Sequence, residues 1–341
     1  MTSEQIRTIA ADGRFPGAKT PVEVVETHIS WVILTPAFAF KIKKPVRFPF
    51  LDFSALELRK HYCHEELRLN RRLAPDMYLD VLPVNLGNDG LPEICRADGG
   101  DAALDYAVSM KRMDNNFQMD RLLGRNEVGG EAIESLARML VRFHRSAILK
   151  GSEAGYEPGS NRADFEDLFR LQPVAVQILG TDAASDFASW RGQIGQFLEA
   201  HEPRLCRRAE SGFWVDGHGD LHARNIFLLP AGPVVFDCIE FNAHFRRLDV
   251  LNELAFLCMD LDAGGHHELS EVFMAFYCRD WACIENEEDE RLFLYFKAYR
   301  ANVRLKVALT EWEQQASAAL EERVRNYRDL LEYYLDKLVK T

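Results

Sequence analysis

The chain of 341 residues carries 53 acidic and 41 basic side chains, so its formal net charge is −12. A nucleic-acid-binding surface needs a basic excess, and this charge therefore argues against that class of protein. Hydrophobic residues at 47% and charged residues at 28% are typical of a globular chain, and the length suits two lobes. These values favour a soluble enzyme.

The cysteines and the N-terminus indicate a location. The seven cysteines are scattered and contain no C-x-x-C pair, which is typical of free thiols in a reducing compartment. Residues 1–13 include Glu4, Arg7 and Asp12 and no apolar core, so we expect no secretory signal. No apolar run is long enough to span a bilayer. The sequence therefore predicts a cytoplasmic protein with neither a membrane nor a nucleic acid as partner.

The first third of the chain predicts a small antiparallel lobe with one helix. Its elements are three short strands within 21–45, a helix over 54–73 with a capping box between Ser54 and Glu57, a hairpin of 80–86 and 91–97, and a strand over 103–110. In Phe38–Lys43, alternation places Ala39, Lys41 and Lys43 on one face of the strand.

After Met113 the pattern becomes mainly helical. Helices are predicted over 128–146, 165–179, 186–208 and most of 249–341, and short strands over 214–216, 226–228 and 234–237. The sequence therefore predicts an α+β fold of two lobes, with residues 1–113 in a small N-terminal lobe and 114–341 in a larger C-terminal lobe.

The stretch Gly217–Phe227 carries the pattern H-G-D-L-H-x-x-N, and a later apolar segment ends at Asp237. Phosphoryl transfer needs positioning and charge neutralisation, and Mg²⁺ prefers carboxylate and amide oxygens. Asp220 can orient a hydroxyl, while Asn225 and Asp237 can supply metal ligands. Because Asp220 and Asn225 share one tight loop and Asp237 ends a neighbouring strand, we expect all three to converge on one phosphate.

This pattern resembles the catalytic loop and metal-binding strand of the aminoglycoside phosphotransferase and choline kinase family, a branch of the protein-kinase-like fold. The resemblance covers roughly residues 20–310. It implies a bilobal kinase-like fold, ATP and Mg as cofactors, Asp220 as catalytic base, and Asn225 and Asp237 as metal ligands. The first lobe would bind the nucleotide, and the second would carry the base and the acceptor site.

Ala39-Phe40-Lys41 is similar to the V-A-I-K strand of kinases, whose lysine reaches the α and β phosphates. Lys43 lies on the same strand face and is the alternative. The resemblance implies a partner carboxylate on the following helix, for which Glu66 is the choice and Glu65 the alternative. It also implies that 107–113 forms the adenine-contacting hinge, which includes Met110.

Two departures from kinases are visible. No G-x-G-x-x-G precedes Lys41, and we expect the turn Glu26–Ser30 to cover the phosphates instead, with Thr27 and Ser30 as donors. Asp249 follows Asp237 closely, without D-F-G or A-P-E, which leaves no room for a peptide-binding activation segment and favours a small-molecule acceptor.

Asp249 has two interpretations, both of them structural. From the residues alone it is a helix N-cap. In the family, an Asp at this point braces the catalytic loop through backbone hydrogen bonds. Glu240, Asn242 and Arg246 follow the metal-binding Asp and are candidates for the acceptor pocket.

In its detailed sequence, the chain resembles a bacterial subgroup in which some members are fused to a second, P-loop kinase domain. This resemblance implies association with such a domain. This chain contains no G-x-x-x-x-G-K-[ST]. The leading hypothesis is a kinase that phosphorylates a hydroxyl of an aminoglycoside-like molecule or a metabolite. The alternatives are a non-catalytic nucleotide-binding regulator on the same fold, and a metal-dependent hydrolase using His218 and His222 with the two aspartates.

Overall fold

A computed structural model of the protein describes residues 1–17, 22–95, 103–151 and 155–340. The chain divides into two compact units. The first unit contains residues 1–121, 225–229 and 234–245, and the second contains 122–224, 230–233 and 246–341. The predicted lobe boundary between residues 113 and 114 stays a prediction.

The first unit is built on a six-stranded antiparallel sheet with the strand order β1-β2-β3-β8-β6-β7. The strands of this sheet are β1 (Glu23–Glu26), β2 (Ser30–Leu34), β3 (Phe38–Lys43), β6 (Tyr78–Leu86), β7 (Pro92–Ile94) and β8 (Asp105–Lys111). Two further strands, β4 (Arg47–Phe48) and β5 (Leu51–Asp52), form a separate hairpin. The predicted strands at Pro21 and at 96–97 extend into residues outside the described ranges.

The two faces of β3 pack against different helices, as the alternation predicts. Phe40 and Ile42 join Ile6 and Ile9 of α1 (Ser3–Ala11) in one apolar core. On the other face, Ala39 packs with Cys63 of α2 (Leu56–Asn70) in a second core. Lys41 and Lys43 alternate in phase with Ala39, and this places them on the α2 side of the sheet.

The predicted capping box at the start of α2 is wrong. The helix begins at Leu56 behind Ala55, which makes no side-chain capping bond. The Ser54 backbone N–H and hydroxyl both donate to the carboxylate of Asp52, at 2.9 and 2.6 Å. Because Asp52 engages Ser54 in this local turn, the hydroxyl is not directed at the first turn of the helix.

The second unit is mainly helical. Its helices are α4 (Gly130–Ser146), α5 (Ser160–Glu166), α6 (Gln172–Leu179), α7 (Asp182–Glu210), α8 (Val250–Ala263), α9 (His267–Asp280), α10 (Glu287–Gln314) and α11 (Ala318–Lys340), preceded by α3 (Met119–Gly124) where the two units meet in the chain. The predicted helix over 165–179 is instead α5 and α6 separated by a 3₁₀ segment, Asp167–Leu171. Among the described helices, none combines the length and apolarity that crossing a membrane requires.

Short strands carry the sequence motifs. β9 (Trp214–Asp216) pairs with β12 (Arg247–Asp249), so the loop after β9 starts next to the segment that leads into α8. β10 (Ile226–Leu229) and β11 (Gly232–Val235) form a two-stranded hairpin. These strands place the H-G-D-L-H loop between β9 and β10, and Asp237 just after β11.

Candidate active site

Lys41 joins three elements of the first unit. Its Nζ lies 2.9 Å from Oε1 of Glu66 on α2 and 2.7 Å from Oδ1 of Asp237. Lys41 lies on β3 between Val32 of β2 and Val108 of β8. A central strand with partners on both sides fixes the backbone of the lysine, so the two carboxylates receive a well-positioned cation.

Lys43 forms a second, deeper pair. Its Nζ donates to Oε2 of Glu66 at 2.6 Å and also to Oε1 of Glu240. The side chains of Lys43 and Glu66 are almost fully buried, at 1% and 0% exposure. Asp237, by contrast, keeps 44% of its side-chain surface exposed. Glu66 therefore holds one lysine with each carboxylate oxygen, and of the two lysines Lys41 is the one paired with the exposed acid.

The charges in this cluster fix its protonation. Burial acts to lower the pKa of Lys41, but Asp237, Glu66 and Glu240 outweigh it and raise that pKa well above its ordinary value. Burial acts in the opposite direction on Glu66, where Lys41 and Lys43 prevail and lower its pKa to about 2. At neutral pH both groups are therefore charged. Glu65, the alternative partner, pairs instead with Arg68 on the helix surface, at 2.7 Å.

Asn225 and Asp237 lie at corresponding ends of the β10–β11 hairpin. The backbone N–H of Phe236 donates to the carbonyl of Asn225 at 3.0 Å, which brings the two segments into register. The predicted strand to 237 is too long, since β11 ends at Val235 and Asp237 has a left-handed backbone with φ of 63°. Asp and Asn tolerate this conformation better than most residues.

The segment after Asp237 is anchored to the rest of the first unit. The backbone N–H of Asp237 donates to the Tyr78 hydroxyl at 3.2 Å, and the backbone N–H of Cys238 donates to Oδ1 of Asn70 at 2.9 Å. The Asp237 carboxylate and the Asn225 amide supply oxygen donors of the kind that Mg²⁺ prefers, so the chemistry of the donor set fits that ion.

Met110 lies opposite Ala39 in the β3–β8 pairing and is buried, as are Val108 and Phe227 in the same apolar cluster. This cluster occupies the sheet face that carries Lys41. Small-molecule pockets are lined mostly by apolar side chains, and this face offers such side chains next to Lys41.

The turn between β1 and β2 uses its own hydroxyl. Oγ1 of Thr27 accepts the backbone N–H of Ser30 at 2.9 Å and donates to the Ser30 carbonyl at 3.1 Å. Ser30 is buried at the start of β2, opposite Lys43, and its own hydroxyl has no hydrogen-bond partner within the described residues. The structure therefore places Thr27 and Ser30 together, with the Thr27 side chain engaged inside the turn.

Asp220 belongs to the second unit, in the loop after β9. Its Oδ2 lies 3.3 Å from Nε2 of the buried His222, and its backbone N–H donates to Nδ1 of His218 at 3.3 Å. Burial acts to raise the pKa of Asp220, but His222, His218 and Arg304 outweigh it and hold the pKa well below its ordinary range. Asp220 is therefore a carboxylate at neutral pH.

Glu253 of α8 holds the loop that carries Asp220. Its carboxylate accepts the backbone N–H groups of His218 and Gly219, the latter at 2.9 Å. Arg300 of α10 donates to the Gly219 carbonyl at 3.2 Å. A Cβ at Gly217 would lie 2.8 Å from Oε1 of Glu253, which only glycine avoids. Sequence reasoning missed Glu253 and Arg300.

The brace expected from Asp249 is thus supplied by Glu253. Asp249 is the N-cap of α8, accepting the backbone N–H of Leu251 at 2.8 Å, and this confirms the local interpretation. Its two carboxylate oxygens bind Arg208 at 2.7 and 2.9 Å. Asp249 caps α8 and Glu253 lies in its first turn, and only the fold distinguishes which of the two acids faces the loop.

The predicted site residues therefore fall into two groups. In the first unit, Lys41 contacts both Glu66 and Asp237, and Asn225 lies on the same hairpin as Asp237. Asp220 is held with His218 and His222 in the second unit, and its convergence with the metal ligands stays a prediction. Among the residues described, no group of three or more His, Cys, Asp and Glu side chains is arranged to hold a metal ion.

Comparison with known proteins identifies the family of this chain. Residues 100–286 match the model of the phosphotransferase enzyme family, APH. The uncharacterized protein Rv2004c of Mycobacterium tuberculosis is 31% identical over 312 residues, which cover 89% of this chain and 58% of the relative. The chain thus spans less than two thirds of the length of the curated relatives it matches.

Two solved structures show the fold. APH(2")-IIia in complex with GDP and kanamycin has a TM-score of 0.56 at 15% identity, covering 97% of this chain and 99% of its own. A choline/ethanolamine kinase family protein from Mesorhizobium loti has a TM-score of 0.55 at 13% identity, covering 100% of both chains. The predicted α+β, protein-kinase-like fold is confirmed. The family model matches more than half of this chain, and the relative is 31% identical over 89% of it. The chain therefore belongs to the phosphotransferase enzyme family.

Proposed function

We propose that this protein is an ATP- and magnesium-dependent kinase that moves the γ-phosphoryl group to a hydroxyl of a small molecule. The observation that carries the proposal is the position of Lys41, between the buried Glu66 and the exposed Asp237. Phosphoryl transfer requires a cation fixed beside the nucleotide phosphates and an acidic metal ligand next to it. Lys41 and Asp237 have the charge, exposure and contact that these two roles demand.

Asn225 and Asp237 would hold the magnesium ion, which supplies charge neutralisation for the phosphates. Lys41 would exchange its contact with Asp237 for one with the phosphates, while Glu66 keeps it oriented. Met110 and Ala39 would contact the adenine ring from the apolar face of the sheet. Thr27 shapes the turn that precedes β2, and with Ser30 it is the proposed cover of the phosphates.

Asp220 would act on the acceptor. Its low pKa keeps it ionised at neutral pH, so it can accept a hydrogen bond from the acceptor hydroxyl and align an oxygen lone pair with the phosphorus. His222 holds one carboxylate oxygen, and the Glu253–Arg300 pair fixes the loop. The role of Asp220 is therefore positioning with limited basicity.

The comparisons indicate which acceptors to test first. The APH(2")-IIia structure contains GDP and kanamycin, and the other neighbour is a choline/ethanolamine kinase family protein. Amino-bearing small molecules with hydroxyl groups are therefore the acceptors to try first. The net charge of −12 suits a cationic acceptor. Guanine nucleotides belong in the same screen as ATP. A cytoplasmic location and association with a P-loop kinase domain remain part of this proposal.

The test is nucleotide binding followed by turnover. The full chain is titrated with a non-hydrolysable ATP analogue by calorimetry, with and without Mg²⁺, and then assayed for transfer to a panel of aminoglycosides and amino alcohols. We expect magnesium-dependent binding in the parent and phosphorylation of at least one acceptor class. Failure of the parent to bind any nucleotide would remove the proposal.

Two observations favour the alternative, a nucleotide-binding regulator. The Thr27 hydroxyl is engaged inside its own turn, and no glycine-rich loop precedes Lys41. A regulator would bind nucleotide yet show no phosphoryl transfer and no ATP hydrolysis, and Asp220→Asn would change neither property. A kinase loses turnover in that variant and keeps nucleotide affinity.

A further inference from the structure

Cys278 and Cys283 bring two sulfur atoms together in the second unit. Cys278 lies in the last turn of α9, and Cys283 lies in the irregular segment between α9 and α10. Their Sγ atoms are 3.8 Å apart. A disulfide requires about 2 Å between the sulfurs, so a small shift of the irregular segment is enough to close the bond.

We propose that Cys278 and Cys283 form an oxidisable dithiol that closes to a disulfide on reaction with a peroxide. The site lies outside the predicted active-site residues and takes no part in the phosphoryl transfer proposed above. Cys278 is half-buried and therefore reachable, whereas Cys283 is fully buried. This arrangement resembles an attacking thiol in front of a resolving thiol.

The electrostatics support the same division of roles. The hydrogen bond between the two thiols lowers the pKa of Cys278 to about 7 and raises the pKa of Cys283. The thiolate is the nucleophile in peroxide and exchange chemistry, so Cys278 is the sulfur that reacts first. Burial raises the pKa of Cys258 and of Cys63 to about 12, which keeps these two thiols protonated and unreactive.

The reaction balances with one peroxide molecule. The Cys278 thiolate attacks one oxygen, the O–O bond breaks, and hydroxide leaves and takes a proton to become water. Cys278 is then a sulfenic acid. The Cys283 sulfur attacks the Cys278 sulfur, the S–O bond breaks, and the departing hydroxide takes the Cys283 proton. The two sulfurs lose two electrons in total, and the peroxide gains them.

The dithiol adjoins the structure that supports the catalytic loop. The carbonyl of Cys283 accepts a hydrogen bond from Nη1 of Arg208 at 2.8 Å. Arg208 in turn binds Asp249, the N-cap of α8, and α8 carries Glu253. If the Cys283 backbone moves when the disulfide forms, its hydrogen bond with Arg208 changes first, and Arg208 holds the N-terminus of α8.

Peptide mapping tests the proposal without reference to any kinase activity. The reduced full chain is treated with hydrogen peroxide, remaining thiols are alkylated, and the protein is digested with trypsin. Because Arg279 separates the two cysteines, the disulfide joins peptides 248–279 and 280–291. We expect this linked pair in the parent, its disappearance on adding dithiothreitol, and a loss of two alkylatable thiols per chain.

The matched control uses Cys258, since peptide 248–279 contains both Cys258 and Cys278. Cys258→Ser should retain the linked pair, whereas Cys278→Ser and Cys283→Ala should abolish it. A linked pair that persists in Cys278→Ser would assign the bond to Cys258 and overturn the proposal. So would a parent protein whose thiols are oxidised by peroxide without forming the linked pair.

Discussion

The two lysines of β3 should respond differently to removal, and the structure gives the size of each effect. Lys43→Ala leaves the carboxylates of Glu66 and Glu240 buried beside each other without their common partner. Breaking a buried ion pair by deleting one member costs about 3–5 kcal/mol, so this variant should lose stability. Lys41→Ala leaves Glu66 paired with Lys43 and leaves Asp237 partly exposed, so its cost to stability should be smaller than that of Lys43→Ala.

Nucleotide binding should show the opposite order. A hydrogen bond to a charged group is worth about 1.5–3 kcal/mol, which is a loss of roughly 10- to 150-fold in affinity when Lys41 is removed. Thermal unfolding and calorimetric titration with an ATP analogue and Mg²⁺ measure the two effects on the same preparations. Lys60→Ala, which removes an exposed lysine of α2 in the same unit, is the matched control and should change neither. Normal affinity in Lys41→Ala together with a folded Lys43→Ala that no longer binds nucleotide would refute the assignment.

Four further outcomes follow from the same geometry. Asp220→Asn should lower single-turnover phosphoryl transfer by about 100- to 10,000-fold and leave nucleotide affinity unchanged, and full activity would exclude the proposed role of Asp220 at the acceptor hydroxyl. Asp237→Asn keeps a residue that tolerates φ of 63° and should abolish the gain in nucleotide affinity from Mg²⁺; calorimetry showing an intact gain would contradict the metal assignment. Gly217→Ala should destabilise the protein by about 1–3 kcal/mol in thermal scans because its Cβ meets Glu253, whereas Gly192→Ala in open space on α7 should be neutral or stabilising; equal effects would contradict the close approach. Burial acts to raise the pKa of Glu253, but His144 and the loop N–H donors outweigh it and lower this pKa to about 2. The contribution of Glu253 to the stability of the protein is therefore complete above about pH 4.5 and is lost as the pH falls towards 2. Glu253→Gln should remove the change in measured unfolding free energy over that pH interval.

The sequence predicts the parts of the site that depend on local pattern. Alternation along β3 places Ala39 and Lys41 on one face, and the sheet packing bears this out. The sequence motif H-G-D-L-H-x-x-N is enough by itself to predict that the segment between β9 and β10 is the catalytic loop. Both signals are contained within a few consecutive residues, so no long-range information is needed to interpret them.

Other parts depend on contacts that sequence does not contain. Lys43 meets Glu240 across nearly two hundred positions of chain, and no local pattern connects these two residues. Along α8 almost every side chain is buried, so periodicity does not distinguish the face of Asp249 from that of Glu253. The capping box at Ser54 has the correct local spelling, but Asp52 competes for the same donor groups. In each case a tertiary or neighbouring contact overrides the local preference.

The charge balance of the first unit gives a reason for coupling metal and nucleotide binding. Lys41 and Lys43 face the three carboxyl groups of Glu66, Asp237 and Glu240, so acidic groups outnumber basic ones in the cluster. Burial raises the pKa of Glu240, which pairs with Lys43. Asp237 is the exposed member, and Lys41 serves as its counter-ion. A divalent cation bound by Asp237 would take over that neutralisation, and Lys41 would then be available to the phosphates while Glu66 still holds its position. Under the proposed function, we therefore expect Mg²⁺ and nucleotide to strengthen each other's binding, and Lys41 to be the residue through which part of that mutual effect passes.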